Sequence, residues 1–447
     1  MDYSGLRVAV WGAARSGIAA ANLLAELGAD VYLSDQRKED ELNLEQLDED
    51  VTFVGGGNAL CDASILVPSP GIPPSNAALR AASLAGVRVM SEIELAASVA
   101  RAPIVAITGT DGKSTTTEMI AAVVEAGGKK AFVAGNIGDP FSRRVLEAGP
   151  DDVLVIEVSA FQLWSCQDFQ PAVAVVTNIA EDHAEYFDGD VAAYIGAKAR
   201  VLQDMTPDAV AVLRHDDPVV RNFSPPDGVK VSWFSPVESD QGWAVVSDHL
   251  AHNGERIMPL SEIPVPGPHN VANALSALAA GHALGLETVA MLDGLRSFKG
   301  LKHRLEWVRT LDGVRWYDDS KATNPHAAAA GLKAISTMKV VITGGYDKGL
   351  ELAPFVSALE NTRHLIVTGS TAERTILDVS SHWKKPHIEM SRANDMQDAV
   401  RRAAAAAHPG DTVILSPAAS SFDAYQSYAH RGQVYQQAVK SLLGASK

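Results

Sequence analysis

Cysteine is almost absent: Cys61 and Cys166 are the only two in a chain of 447 residues. They fit neither a disulfide framework nor the paired spacing of a structural metal site, and they favour a reducing compartment. Long apolar runs are missing too, and no uninterrupted stretch is long enough to span a bilayer. Met1-Asp2-Tyr3-Ser4 carries no basic run, and Gly12 soon breaks the first apolar stretch, which is unlike a secretory leader. The expected location is the cytoplasm, with no stable membrane association. Positive charge is in deficit, with 38 Lys and Arg against 54 Asp and Glu, a formal net charge of −16. That balance argues against nucleic acid as a main partner and leaves small ligands, whose charge is met locally. Low-complexity segments and long linkers are also lacking. A composition of 47% hydrophobic and 21% charged residues is that of a globular protein. The length asks for more than one domain, roughly two to four.

What is present is organised around Ile104-Val-Ala-Ile-Thr-Gly-Thr-Asp-Gly-Lys-Ser-Thr115. The β-branched run from Ile104 to Ile107 predicts a buried parallel strand. It breaks at Gly109, and Gly112-Lys113-Ser114 opens a helix, giving the strand–glycine loop–helix anatomy of a phosphate cradle. The glycines would let backbone N–H groups point at phosphate oxygens, and Gly109, Thr110, Asp111, Gly112 and Thr115 are the expected nucleotide-binding residues of the loop. Lys113 would reach the β- and γ-phosphates, and the Ser114 hydroxyl can ligate Mg²⁺. The loop is short: two residues, Thr110 and Asp111, separate the first glycine from the Gly-Lys pair, where the commoner pattern has four.

Upstream, Leu6–Trp11 reads as a strand, Gly12–Gly17 as a glycine turn into an alanine-rich helix, and Val31–Asp35 as the next strand with an acidic end. This is the opening of a doubly wound fold, though Ala14 replaces the middle fingerprint glycine and weakens the case for a dinucleotide. Three further short strands and the rigid turn Ser69–Pro74 bring this domain to about residue 101. In the next domain, placed at 102–300, Asp152–Ser159 and Ala172–Asn178 are predicted strands. Ligands bind outside the carboxyl ends of such strands, so the glycine loop, Glu157 and His183 are expected around one crevice. Glu157 suits either Mg²⁺ or a helix cap, and His183 either a ligand or an ordinary loop histidine. Lys198, on a helix from Val191, reads by itself as a solvated surface lysine. Val210–Pro259 is expected to be irregular β-structure, and Asn270 either caps the following alanine-rich helix or contacts adenine. From residue 301 to 447 strands again alternate with helices, with Asp318–Asn324, Thr343–Gly349 and Ser416–Asp423 at strand ends. The expected architecture is α/β throughout. It has a Rossmann-like N-terminal domain, a central P-loop-type ATPase domain and a Rossmann-like C-terminal domain. The glycine-loop openings at Gly12, Gly109 and Gly344 are unevenly spaced and so mark domains, with no short repeat.

Taken together, these motifs resemble the Mur ligase family of peptidoglycan synthesis over essentially the whole chain. The segments that carry the resemblance include the loop Thr108–Thr115, Gly135–Gly138, Glu157, Ser159, Phe161-Gln162, Asn178–His183 and Lys198. His269-Asn270, His303-Arg304, Asp319–Asn324 and Ser416–Gly432 complete the set. The segment Asp319-Ser-Lys-Ala-Thr-Asn324 points to the D-glutamate-adding branch, while Asp111 and Ala14 depart from the family's usual residues. The resemblance implies ATP-dependent amide synthesis on UDP-N-acetylmuramoyl-L-alanine, through an acyl phosphate that the D-glutamate amine then attacks. It implies ATP and two Mg²⁺ as cofactors, with Ser114, Glu157, His183 and a carbamylated Lys198 around the metals. Asn270, Arg304, Asp319 and Lys321 would hold adenine, phosphates and ribose. Arg15, Ser16, Asp35, Arg37 and Gly71 would bind the UDP part, with Asn136, Ser159, Gln162 and His183 along the acceptor. Thr323, Lys348, Ser421, Phe422 and Tyr428 would form the D-glutamate pocket. Lys113, Glu157, His183, Lys198 and Lys321 would be the catalytic set. A folylpolyglutamate-type ligase, another amino-acid-adding member of the same family and a non-catalytic nucleotide-binding regulator are the competing readings. The roughly 100 residues before the phosphate loop count against the folylpolyglutamate-type reading.

Overall fold

The computed structural model describes residues 1–180, 184–265, 267–347, 349–383 and 388–443. Its strands form three sheets, each the centre of one α/β domain. Two of the sheets lie in a compact unit, Met1–Phe298, and the third in a second unit, Lys299–Lys447. The sequence expectation of a second boundary near residue 101 therefore falls inside the first unit.

The N-terminal sheet is wholly parallel, in the order Thr52–Gly55, Asp30–Asp35, Arg7–Trp11, Ile65–Pro68, Arg88–Val89. Runs such as Val8-Ala-Val-Trp11 and Ile65–Val67 are buried on both faces, as parallel strands covered by helices require. The helix Arg15–Glu26 buries Ala19–Ala21, Leu23 and Leu24 against this sheet.

The central sheet has nine strands. Its parallel heart runs Val210–Arg214, Val173–Val176, Ile104–Thr108, Val153–Glu157, Ala131–Gly135. The stretch after Val210 departs from expectation, because it is regular. Lys230–Glu238 continues the parallel order, and Trp243–Val246, His249–His252 and Glu255–Pro259 close the edge as an antiparallel meander. Both hairpins turn through two residues with positive φ, Ser247-Asp248 and Asn253-Gly254, the backbone that tight primed turns demand. Trp243, Leu250 and Met258 point from this meander into the core beneath the helix Pro268–Ala283.

In the second unit the order is Glu306–Leu311, Val314–Asp318, Thr412–Leu415, Lys339–Gly344, Thr362–Thr368, Glu389–Arg392. Only the first pair is antiparallel. Among the described residues no helix is long and apolar enough to cross a membrane.

Candidate active site

The central strand Ile104–Thr108 ends in the glycine loop, and the helix Lys113–Ala126 starts directly after it. Gly112 takes φ +82°, and a Cβ there would lie 2.4 Å from Asn273 Oδ1, so only glycine fits without displacement. The neighbouring strand end braces the loop. Asn178 accepts from Thr110 N through its carbonyl and from Asp111 N through Oδ1, both at 2.9 Å. Thr177 Oγ1 and Asn178 Nδ2 donate to the Asp111 carbonyl at 2.6 and 2.9 Å. Tyr194 OH lies 3.1 Å from Thr110 Oγ1. Ser114 and Thr115 follow in the first turn, which no side chain among the described residues caps, so its amides retain the anion-binding character of a helix start.

Lys113 Nζ bends back to the carbonyls of Gly109 and Thr110 at 3.0 and 2.8 Å. Lys198 Nζ donates to the same Gly109 carbonyl and lies 4.8 Å from the centre of the Tyr194 ring. Lys198 is 2% exposed, which overturns its reading as a surface lysine. It sits on the buried face of its helix with Tyr194, Ala197 and Val201.

Glu157 ends the adjacent strand, in register with Ile107, and is also 2% exposed. Its Oε1 accepts from Asn136 Nδ2 at 2.7 Å, whereas Oε2 is buried without a hydrogen-bond partner among the described residues. Ser159 and Gln162, expected along the acceptor, form a capping pair in which Gln162 Oε1 accepts from Ser159 N and Oγ at 3.0 Å. His183 lies outside the described residues. Asn270 Oδ1 accepts from Asn273 Nδ2 at 3.0 Å, so the residue beside Gly112 also orients Asn270. Asn273 was not singled out in the sequence, because a buried amide inside an alanine-rich helix gives no periodic signal.

At the N-terminal sheet the Asp35 carboxylate accepts from Ala13 N at 2.8 Å and from Arg37 N, Nε and Nη2 at 3.0 Å. The bonds from the Arg37 side chain hold it well below the usual carboxylate range. Asp35 thus ties the first glycine loop to Arg37. Arg15 donates to the Gly138 carbonyl and pairs with Asp139 at 3.8 Å. A cavity of about 650 Å³ is lined by Ala14, Arg15, Arg37, Gln46, Ser142 and Arg143 among others. Arg143 is distant in sequence and carried no signal there. Ser16 is half-buried and Gly71 exposed, outside that lining.

In the second unit Asp319 follows the strand Val314–Asp318 and is 3% exposed. It accepts from Ser416 Oγ at 3.0 Å, and burial pushes its carboxyl up to about 7. Lys321 N donates to the His303 carbonyl at 2.8 Å, with the exposed Arg304 beside it. His303 Nδ1 lies 2.7 Å from Asp318 Oδ2. Gln436 Nε2 donates to Asp318 Oδ2 at 2.9 Å and to Glu306 Oε2 at 3.0 Å, so the group His303, Glu306 and Asp318 is internally satisfied. A narrow pocket lined by Thr323, Tyr346, Asp347, Arg374 and Ser420 opens on the carboxyl edge of the sheet. Of the expected amino-acid residues it includes Thr323. Ser421 is buried, Phe422 is 71% exposed and Tyr428 starts the last helix, and none of these three lines it. Lys348 lies outside the described residues.

Three family models match the chain. The Mur ligase MurD-like N-terminal domain covers residues 6–91, the Mur ligase middle domain 107–281, and the Mur ligase glutamate ligase domain 303–419. The chain is 37% identical over 450 residues to the UDP-N-acetylmuramoylalanine–D-glutamate ligase of Streptococcus sanguinis (strain SK36), covering 99% of each. It is 35% identical over 453 residues to the ligase of the same name from Caldanaerobacter subterraneus subsp. tengcongensis, covering 99% of this chain and 100% of that one. Among solved structures, the UDP-N-acetylmuramate-alanine ligase of Thermotoga maritima shares the fold with a TM-score of 0.61 at 18% identity, over 98% of this chain and 99% of that one. The MurF ligase of the same organism, solved in complex with ADP, gives a TM-score of 0.56 at 16% identity, over 98% and 96%. Matched by models of all three domains and by relatives along 99% of its length, the chain belongs to the Mur ligase family.

Proposed function

We propose that the chain is an ATP-dependent amide ligase that adds D-glutamate to UDP-N-acetylmuramoyl-L-alanine, a cytoplasmic step of peptidoglycan precursor synthesis. The reading is carried by a braced phosphate loop beside a buried Glu157 oxygen that has no partner among the described residues, in a chain similar over 99% of its length to proteins named for that reaction.

A buried carboxylate oxygen with no partner among the described residues suits a hard cation, and with the Ser114 hydroxyl it would hold Mg²⁺. An ion held there would supply positive charge to offset what spreads over the transferring phosphoryl group. A second Mg²⁺ would involve Glu157, His183 and Lys198. Two ammonium groups drawn to one carbonyl oxygen repel each other. Loss of a proton from Lys198 and attack of the resulting amine on CO₂, with a second proton released, would remove one of those charges and supply a carboxylate-like ligand. Lys113 would then turn from the loop carbonyls to the β- and γ-phosphates. Asn270, Arg304, Asp319 and Lys321 would serve the rest of the nucleotide. Arg15, Arg37 and Arg143 bring three guanidinium groups to one cavity, a set suited to a diphosphate.

The L-alanyl carboxylate attacks the γ-phosphorus and ADP leaves. The D-glutamate amine then attacks the acyl carbon, phosphate leaves, and the amine's proton passes to solvent or to a nearby base. The test is phosphate release measured for a panel of UDP-muramoyl acceptors against D- and L-amino acids. Release that requires ATP, UDP-N-acetylmuramoyl-L-alanine and D-glutamate together is the expected result. Release with a folate acceptor, or with a different amino acid in preference, would overturn it.

A further inference from the structure

Arg431 is 1% exposed, inside the last helix, Tyr428–Ser441. A buried guanidinium normally meets a carboxylate, since an uncompensated charge is costly to remove from water. Here all its hydrogen bonds among the described residues go to neutral oxygens. Nε and Nη2 donate to Ser320 Oγ and to the Ser320 carbonyl at 3.0 and 2.9 Å. Nη1 donates to the carbonyls of Ala419 and Ser420, each at 3.1 Å. Burial lowers its pKa to about 10, so it stays a cation at neutral pH.

Those oxygens belong to two different loops. Ser320 lies between Asp319 and Lys321, and Ala419-Ser420 leads into Ser421. A third loop joins through a shared acceptor, because Tyr346 N also donates to the Ser420 carbonyl at 2.9 Å. Its Gly345 packs so closely that a Cβ would lie 2.2 Å from that carbonyl oxygen and 2.9 Å from Arg431 Nη1. The three loops follow the adjacent parallel strands Val314–Asp318, Thr412–Leu415 and Lys339–Gly344, at the edge where α/β sheets bind ligands. The pocket containing Thr323, Tyr346 and Ser420 takes wall residues from all three. Carbonyl oxygens left free at that edge would repel an anionic ligand, and the guanidinium's planar fork holds them from behind.

We infer that Arg431 is a positioning residue for the amino-acid substrate: from inside the fold it fixes the three loops whose pocket receives a dicarboxylic amino acid. The inference rests on the D-glutamate reading above. A lysine at this position presents one ammonium and cannot reproduce the fork's reach to both loops.

The test compares wild type, Arg431→Lys and Ser320→Ala in the full chain, by steady-state kinetics with each substrate varied and by thermal melting. Arg431→Lys should raise the KM for D-glutamate at least tenfold while the KM for UDP-N-acetylmuramoyl-L-alanine stays within twofold. Ser320→Ala, which removes the acceptor of Nε, should change the same constant in the same direction by a smaller factor. A lower melting midpoint with all KM values unchanged and kcat scaled by the active fraction would make Arg431 merely structural and overturn the inference. If Arg431→Lys does not fold, Ser320→Ala decides by the same criterion. Wild-type protein without D-glutamate-dependent phosphate release overturns the functional reading together with this one. An active wild type with an unaltered D-glutamate KM in the variants overturns this one alone.

Discussion

Lys113 and Lys198 donate hydrogen bonds to the same acceptor, the carbonyl oxygen of Gly109. One lysine comes from the start of the loop's own helix and the other from a helix some 80 residues later. Lys198 would otherwise read as an ordinary lysine, and its meeting with Lys113 brings both Nζ atoms to the glycine loop.

Replacing Lys113 by alanine should remove a cation from the transferring phosphoryl group. Loss of such a charge clamp costs about 3 kcal/mol of transition-state stabilisation, roughly a hundredfold or more in kcat. Phosphate release under saturating substrates is the measurement, and near-normal turnover would remove the phosphate-loop assignment.

Lys198→Ala should be nearly inactive yet folded, and a small carboxylate such as formate or acetate should restore part of its rate. Lys198→Arg should gain nothing from either, since guanidinium stays charged and is not expected to form the carbamate. Mass analysis of the intact native protein, with and without added bicarbonate, provides a readout independent of turnover.

Asn136→Ala should leave the Glu157 carboxylate without the amide that orients it. Loss of a partner behind a metal ligand typically weakens metal binding by about tenfold or more. The expected outcome is a higher Mg²⁺ concentration for half-maximal activity, with the KM for D-glutamate unchanged. An unshifted Mg²⁺ titration would separate Glu157 from the metal.

Asp319 gives a pH signature. Its carboxyl is pushed up from 3.8 to about 7, mainly by burial and against the Ser416 hydroxyl and the charge of Arg304. Between those values the folded chain keeps a proton that the unfolded chain has lost, so stability falls as pH rises through the window and levels off above it. Melting midpoints should decline across that range in wild type, and less steeply in Asp319→Asn. Parallel curves would mean that Asp319 titrates normally.

The phosphate loop was legible because a β-branched strand, two glycines and a helix start are local features, and each left its mark within a dozen residues. Lys198 was misread from its own residues, although Tyr194, Ala197 and Val201 around it form the buried stripe of one helix. A lysine on such a stripe is itself a signal. The meander after Trp243 was also readable, since Asn253-Gly254 is a strong hairpin dipeptide. Nothing local could reveal that Asp35 would be saturated by Ala13 and Arg37, or that Arg143 would share a cavity with Arg15. Those relations exist only once the sheet and its helices are assembled.

The braces on the glycine loop carry a calorimetric consequence. Asn178 and Thr177 hold Thr110 and Asp111 through hydrogen bonds that require no nucleotide. A loop already in shape surrenders little conformational freedom when a ligand arrives. Its heat capacity change should therefore reflect only the surface the nucleotide covers, without the larger negative term that accompanies folding of a segment around its ligand.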